Sequence, residues 1–375
     1  MKIAYCNAIR QFHGDRLADR AWSSRYPGTG WVSVLHDWAK EGRFEIASGD
    51  VALEHVRRGA WRASEVHVLQ ELDSPHGDAL CRQGACPTLL MSLESPLVAF
   101  RSFDRLRRRV APFANIMGPA PLLADSMIAR SAVRHRMTFP CFWQQHVAAH
   151  DTDDRKDSVV LVAANKYWLE RSARGWREPK QALRLLRRAA RRQMSYTFRH
   201  GRDAQLHDER LAVIERLAGC GRIDVWGSGW DALENLPDTW AVRIRRHGLR
   251  RHGPCEDKAK VLRGFRFALA YENAAFEGYV TEKIFDAMHA GCIPIYRGAP
   301  DIDRHLPNDT YIDGRGFAEA QDPVKWLNER VGGGDASMRC AARRFLASPI
   351  GLRHSFEGFA SWVLRLCGVA EERIL

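Results

Sequence analysis

The residues best placed to do chemistry are Thr281, Glu282 and Lys283, which stand between Gly278-Tyr279-Val280 and an apolar run of helical spacing, Ile284, Phe285 and Met288. Thr281 is a good N-cap, so Glu282 and Lys283 fall in the first turn of the helix it opens. Free backbone N–H groups, the positive end of the helix dipole and a lysine ammonium then converge on one point, and the ligand suited to that point is a phosphate. A second chemical group stands far upstream. Glu94 ends the apolar run Thr88 to Leu93 and precedes Ser95-Pro96; a carboxylate at the carboxyl end of a strand lies where α/β sheets place their ligands.

These residues must be positioned by strands alternating with helices. Phe267 to Tyr271 is apolar and aromatic, as a buried strand is, and Asn273, Glu277 and Gly278 mark the loop after it. Gly291 stops the helix, and Ile293 to Tyr296 begins the next strand. Upstream, Lys2 to Ile9, Phe44 to Ile46, Val66 to Leu69 and Thr88 to Leu93 read as strands, with a helix over Trp31 to Lys40. That alternation argues for a parallel, Rossmann-like first domain. The polar stretch Asp151 to Asp157 reads as a linker, after which Val159 to Ala163, Ile223 to Trp226, Phe267 to Tyr271 and Ile293 to Tyr296 form a second strand series.

The expected division is a first domain over 1–150, a second over 151–350, and a C-terminal helix over 351–375. In that last segment Phe359, Val363 and Leu366 share one face, which suits packing back on the first domain. A basic helical insertion is expected near 167–209, where Leu183, Leu186 and Ala190 form a stripe flanked by Arg184, Arg187, Arg188, Arg191 and Arg192. It reads either as a solvated surface helix or as a docking face for an anionic acceptor or membrane.

Composition bounds the alternatives. A chain of 375 residues, 45% hydrophobic and 27% charged, has material for two ordinary domains. Nine cysteines without paired zinc spacing read as reduced thiols in a cytoplasmic protein. The opening MKIAYCNAI reads as a first strand, too short for a signal peptide or membrane anchor. A net charge of +12 suits an anionic partner: a nucleotide-sugar, a lipid-linked glycan, an inner-leaflet surface or nucleic acid. Nothing in the chain resembles a helix-turn-helix, a zinc finger or an aromatic RNA-binding signature, so nucleic acid is not expected as a partner.

The stretch Phe267 to Ile302 resembles the donor-binding signature of the family 10 glycosyltransferases, the α-1,3/1,4-fucosyltransferases. It carries Tyr271-Glu272-Asn273, then Gly278-Tyr279-Val280-Thr281-Glu282-Lys283-Ile284, then Gly291-Cys292-Ile293-Pro294-Ile295-Tyr296 and Gly298-Ala299-Pro300, in the family's order and spacing. Shorter echoes occur at LLMSLESP, VVLVAANK and DVWGSG. The resemblance implies a GT-B type α/β fold, with two Rossmann-like domains facing across a cleft. It also implies inverting transfer of fucose from GDP-fucose to a glycan hydroxyl, in a bacterial, soluble form acting on a surface glycan such as lipopolysaccharide. A related GDP-sugar transferase with another donor sugar is the alternative, and a basic nucleic-acid-binding protein without catalysis a more distant one.

Such transfer needs a general base, positive charge for the departing pyrophosphate and alignment between them. The resemblance implies Glu94 as base, with an N-cap or surface carboxylate as its bland reading. It implies Lys283 and Arg210 for the leaving group, with Arg202 in place of Arg210 if the alignment slips. Glu282 would accept ribose hydroxyls, Tyr279 would lie beside the donor, and Asn273 would orient the strand-end loop. Asn165 resembles a loop residue of the donor domain or is a plain turn residue. Tyr271 stands where Phe is usual, and Arg297 where Trp is usual. Asp151-Thr152-Asp153 and Asp301-Ile302-Asp303 spell a metal-binding triplet but read as turns, so no metal and no resident cofactor are expected. The expected location is cytoplasmic, with peripheral contact at the inner membrane face as a further option.

Overall fold

The apolar runs fold into two parallel, six-stranded sheets. The computed structural model describes the chain outside residues 8, 24–25, 107–112, 120–132, 136–153, 165–194, 196–200, 231–246, 332–333 and 370–375. Most of the basic stretch at 167–209, the triplet Asp151-Thr152-Asp153 and Asn165 therefore lie outside the described residues.

The first sheet contains β1 (Lys2–Asn7), β2 (Glu45–Ser48), β3 (Val66–Glu71), β4 (Cys86–Met91), β5 (Asn115–Met117) and β6 (Val133–His135), in the order β2-β1-β3-β4-β5-β6. The second contains β7 (Lys156–Val162), β8 (Ile223–Trp226), β9 (Arg250–Arg251), β10 (Phe265–Tyr271), β11 (Ile293–Arg297) and β12 (Ile312–Asp313), in the order β12-β11-β10-β7-β8-β9. The helices include α1 (Gly30–Ala39), α2 (Gly49–Arg57), α3 (Pro75–Arg82), α4 (His207–Gly219), α5 (Glu282–His289), α6 (Asp335–Ala347) and α7 (Phe356–Leu366).

Both faces of each sheet are covered, which is why the strands read as continuous apolar runs without alternation. In the second sheet Val159, Leu161, Phe267 and Leu269 face the core shared with Val213, Ile214 and Leu217 of α4. Their neighbours Val160 and Ala268 face the opposite core with Ala287 of α5 and Cys292. The first sheet repeats the arrangement, with Ile3, Tyr5 and Leu69 on one side and Ala4, Cys6 and Val68 on the other. Eight cysteines among the described residues are free thiols.

The chain separates into two compact units. One comprises Met1–His146, Phe276–Glu282 and Pro349–Leu375, and the other Val147–Ala275 and Lys283–Ser348. Helix α7 packs on α1 within the first unit, where the rings of Trp31 and Phe359 meet edge to face at 5.1 Å. Phe276 and Tyr279 join that same apolar cluster. No helix among the described residues is long and apolar enough to cross a membrane.

Candidate active site

Counted from β7, the second sheet follows the doubly wound order 3-2-1-4-5-6, and the direction of winding reverses between β7 and β10. Ligands of open α/β sheets sit at the carboxyl ends of the two strands flanking such a reversal. Glu272 and Asn273 lie directly after β10, and both are buried. Three backbone contacts bring the chain before α4 to this point. Ala275 donates its N–H to the Ala204 carbonyl at 2.7 Å, Gln205 bridges Ala274, and Leu206 donates to the Asn273 carbonyl at 3.2 Å. The first turn of α4, with Arg210, is thereby delivered beside the end of β10.

A buried charge cluster results. Glu272 is fully enclosed, and Lys283 Nζ reaches its Oε2 at 2.8 Å. A carboxylate removed from water requires such a partner. Arg210 is also buried, with an exposure of 3%. Its Nη2 lies 2.9 Å from His207 Nδ1, while Nε and Nη1 have no hydrogen-bond partner among the described residues. Burial pulls the guanidinium down to about 10, against the opposing influence of the Glu272 carboxylate. It stays protonated at neutral pH. Among the described residues two cations, Arg210 and Lys283, face the Glu272 carboxylate, and Arg210 with its two open donors has the chemistry of an anion site.

Gly298 is required at the rim of this cluster. A Cβ there would run into the Tyr296 hydroxyl and Glu272 Cγ. The Tyr296 hydroxyl itself accepts the Ala299 N–H at 2.9 Å. Arg297 places Nε 2.9 Å from Glu209 Oε1 and 3.1 Å from Oε2. Sequence reasoning singled out neither Glu272 nor Glu209. Glu272 stood within the quoted motif, but its burial depends on sheet packing, and Glu209 lies 88 positions from its partner Arg297.

Of the expected donor residues, Arg210, Asn273 and Lys283 surround Glu272. Glu282 opens α5 and is half-buried. Tyr279 is 1% exposed within the apolar cluster of the first unit. Its ring packs there and fixes the course of the segment leading to Glu282. Arg202 belongs to a short turn, Arg202–Ala204. Asp301 is buried 3.6 Å from His305 at a turn over Ile302–Arg304. No group of three or more metal-binding side chains occurs among the described residues.

In the first unit, Glu94 lies beyond the end of β4, with Oε1 accepting the Ser95 N–H at 2.9 Å. A neighbouring carboxylate went unnoticed in the sequence. Glu71 ends β3, and its Oε2 accepts from Tyr5 Oη at 2.5 Å and Asn7 Nδ2 at 2.7 Å. Burial pushes the Glu71 carboxyl above its ordinary 4.5, the two donors oppose this, and the charge of Glu94 adds to the rise.

The folded chain thus keeps a proton on Glu71 that the unfolded chain loses, and stability falls as pH rises from 4.5 through the folded value. Glu71→Gln retains an oxygen for both donors and carries no titrating proton. Its stability relative to wild type, read from urea midpoints, is expected to improve between about pH 4 and about pH 7. A difference independent of pH would assign the effect to packing.

Comparison with known proteins converges on this region. Residues 192–331 match the model of the glycosyltransferase family 10 (fucosyltransferase) C-terminal domain. The match begins inside the stretch near 167–209. An α-(1,4)-fucosyltransferase of Arabidopsis thaliana is 45% identical over 68 residues, 18% of this chain and 17% of that protein. The α-(1,3)-fucosyltransferase FucT of Helicobacter pylori is 37% identical over 76 residues, 20% of this chain and 16% of that protein. The chain thus spans a fifth or less of the length of these curated relatives. The structure of Anabaena HepE in complex with UDP and glucose is 11% identical, covers 98% of this chain and 99% of its own, and has a TM-score of 0.55. That likeness bears on the fold, which is of GT-B type. Residues 192–331, which carry this motif and the buried charge cluster, are therefore similar to the C-terminal domain of the family 10 glycosyltransferases, the fucosyltransferases.

Proposed function

We propose that the chain transfers fucose from GDP-fucose to a hydroxyl of a glycan, of the lipopolysaccharide class of surface glycans, with inversion at the anomeric carbon. The observation that carries this reading is Arg210, buried with two open donors beside the Glu272–Lys283 pair at the reversal point of the second sheet. A nucleoside diphosphate leaving group is an anion suited to these donors and charges.

In the proposed reaction the acceptor oxygen attacks the anomeric carbon as the bond from that carbon to the pyrophosphate oxygen breaks. Glu94 takes the proton of the acceptor hydroxyl, and GDP departs with the bonding electron pair. Arg210 and Lys283 neutralise the charge developing on the pyrophosphate, and Glu282 accepts hydroxyls of the ribose. A single displacement inverts the configuration. Since two side-chain cations already serve the leaving group, turnover is expected to persist in chelator.

Calorimetric titration with GDP, GDP-fucose, GDP-mannose and UDP, in chelator, tests the reading. GDP and GDP-fucose are expected to bind in preference to the others. UDP binding as tightly as GDP would count against it. Preference for GDP-mannose would keep the phosphate grip and change the donor sugar, which that grip does not read.

A further inference from the structure

We propose that the Glu209–Arg297 ion pair is a positioning latch, fixing the rotation of α4 so that the open donors of Arg210 face the pyrophosphate; this rests on the donor-site reading above. Arg297 is the last residue of β11 and pairs in register with Tyr271, the last of β10. Its carbonyl accepts the Glu272 N–H at 2.8 Å, while its guanidinium holds both oxygens of Glu209 at 2.9 and 3.1 Å. One residue thus fastens the strand end bearing Glu272 to the helical turn bearing Arg210.

Glu209 directly precedes Arg210 in that turn. The backbone contacts at Ala204, Gln205 and Leu206 fix where α4 begins, but they precede the helix and leave its rotation to side chains: the core residues Val213, Ile214 and Leu217 further along, and the Glu209–Arg297 pair at the first turn. Successive helical residues project about 100° apart, so the azimuth of Glu209 sets that of Arg210. Both members of the pair are about three-quarters buried, with side-chain exposures of 24% and 23%. That enclosure retains more of their attraction than a solvated pair keeps.

The test exploits opposite signs. If Glu209 acted only through its charge, Glu209→Gln would remove a negative group near the site and tighten GDP. As half of a latch, Glu209→Gln is expected to weaken GDP about five- to tenfold and leave guanosine unchanged. Arg297→Gln should do the same, and the double substitution should be no weaker than either single one, because both break one contact. Calorimetric titration with GDP and with guanosine reads all three. Unchanged or tighter GDP binding in Glu209→Gln, or additive losses in the double variant, would overturn the latch. GDP binding unaffected by Arg210→Met would instead overturn the donor-site reading beneath it.

Discussion

Glu94→Gln is expected to slow transfer by about 10²- to 10⁴-fold while GDP affinity stays at the wild-type level. The substitution is nearly isosteric, and the amide oxygen can still accept the Ser95 N–H that Glu94 Oε1 accepts at 2.9 Å. What it removes is a group able to take a proton. The readout is GDP released from GDP-fucose, with water as acceptor where no sugar acceptor is in hand. Because Glu71 stands close enough for the two carboxylates to interact, it provides the internal control. Glu71 already spends Oε2 on Tyr5 and Asn7 and holds its proton more tightly than an ordinary carboxylate, so Glu71→Gln should cost far less. The reverse pattern would transfer the base role to Glu71. Loss of GDP binding in Glu94→Gln would remove Glu94 from that role.

The strand, loop and helix around Lys283 could be read from the sequence because each rests on a local rule. Phe267 to Tyr271 is buried on both faces, hence continuously apolar. Gly291 adopts φ 74°, a conformation that favours glycine, and it marks the helix end. The strands Asn115–Met117, Val133–His135, Arg250–Arg251 and Ile312–Asp313 have two or three residues each, too few to show a period. Arg210 could be named only through resemblance, since an arginine in a polar helical turn carries no sequence sign of burial. The role of Glu272 stayed hidden for a related reason. Its partner Lys283 is eleven residues away, and only the pairing of β10 with its neighbours encloses the carboxylate. The burial of Tyr279 was equally hidden, since its packing is set by helices α1 and α7 near the two ends of the chain.

Arg210→Met is expected to abolish most GDP binding and, unusually for a buried substitution, to raise the stability of the ligand-free protein. Methionine is unbranched and fills irregular space, so the packing volume is largely kept. Truncating a buried, charge-assisted contact costs about 2–5 kcal/mol, or about 30- to several-thousand-fold in GDP affinity, with guanosine little affected. Without ligand the balance runs the other way. Nε and Nη1 of Arg210 are buried without partners among the described residues, and each such donor costs about 1–3 kcal/mol in the folded state. Removing them should shift the urea midpoint upward, less whatever the attraction to Glu272 contributed. Lys283→Ala should show the opposite sign in stability. It would take the ion-pair partner at 2.8 Å from Glu272, which is fully enclosed, and breaking a buried pair in this way costs about 3–5 kcal/mol, less what the attraction to Arg210 retains. Of the two cations proposed to serve the leaving group, Lys283 is therefore the one the fold also needs. Equal destabilisation by both substitutions, with GDP binding retained in Arg210→Met, would make Arg210 a structural residue and leave the site without its open donors.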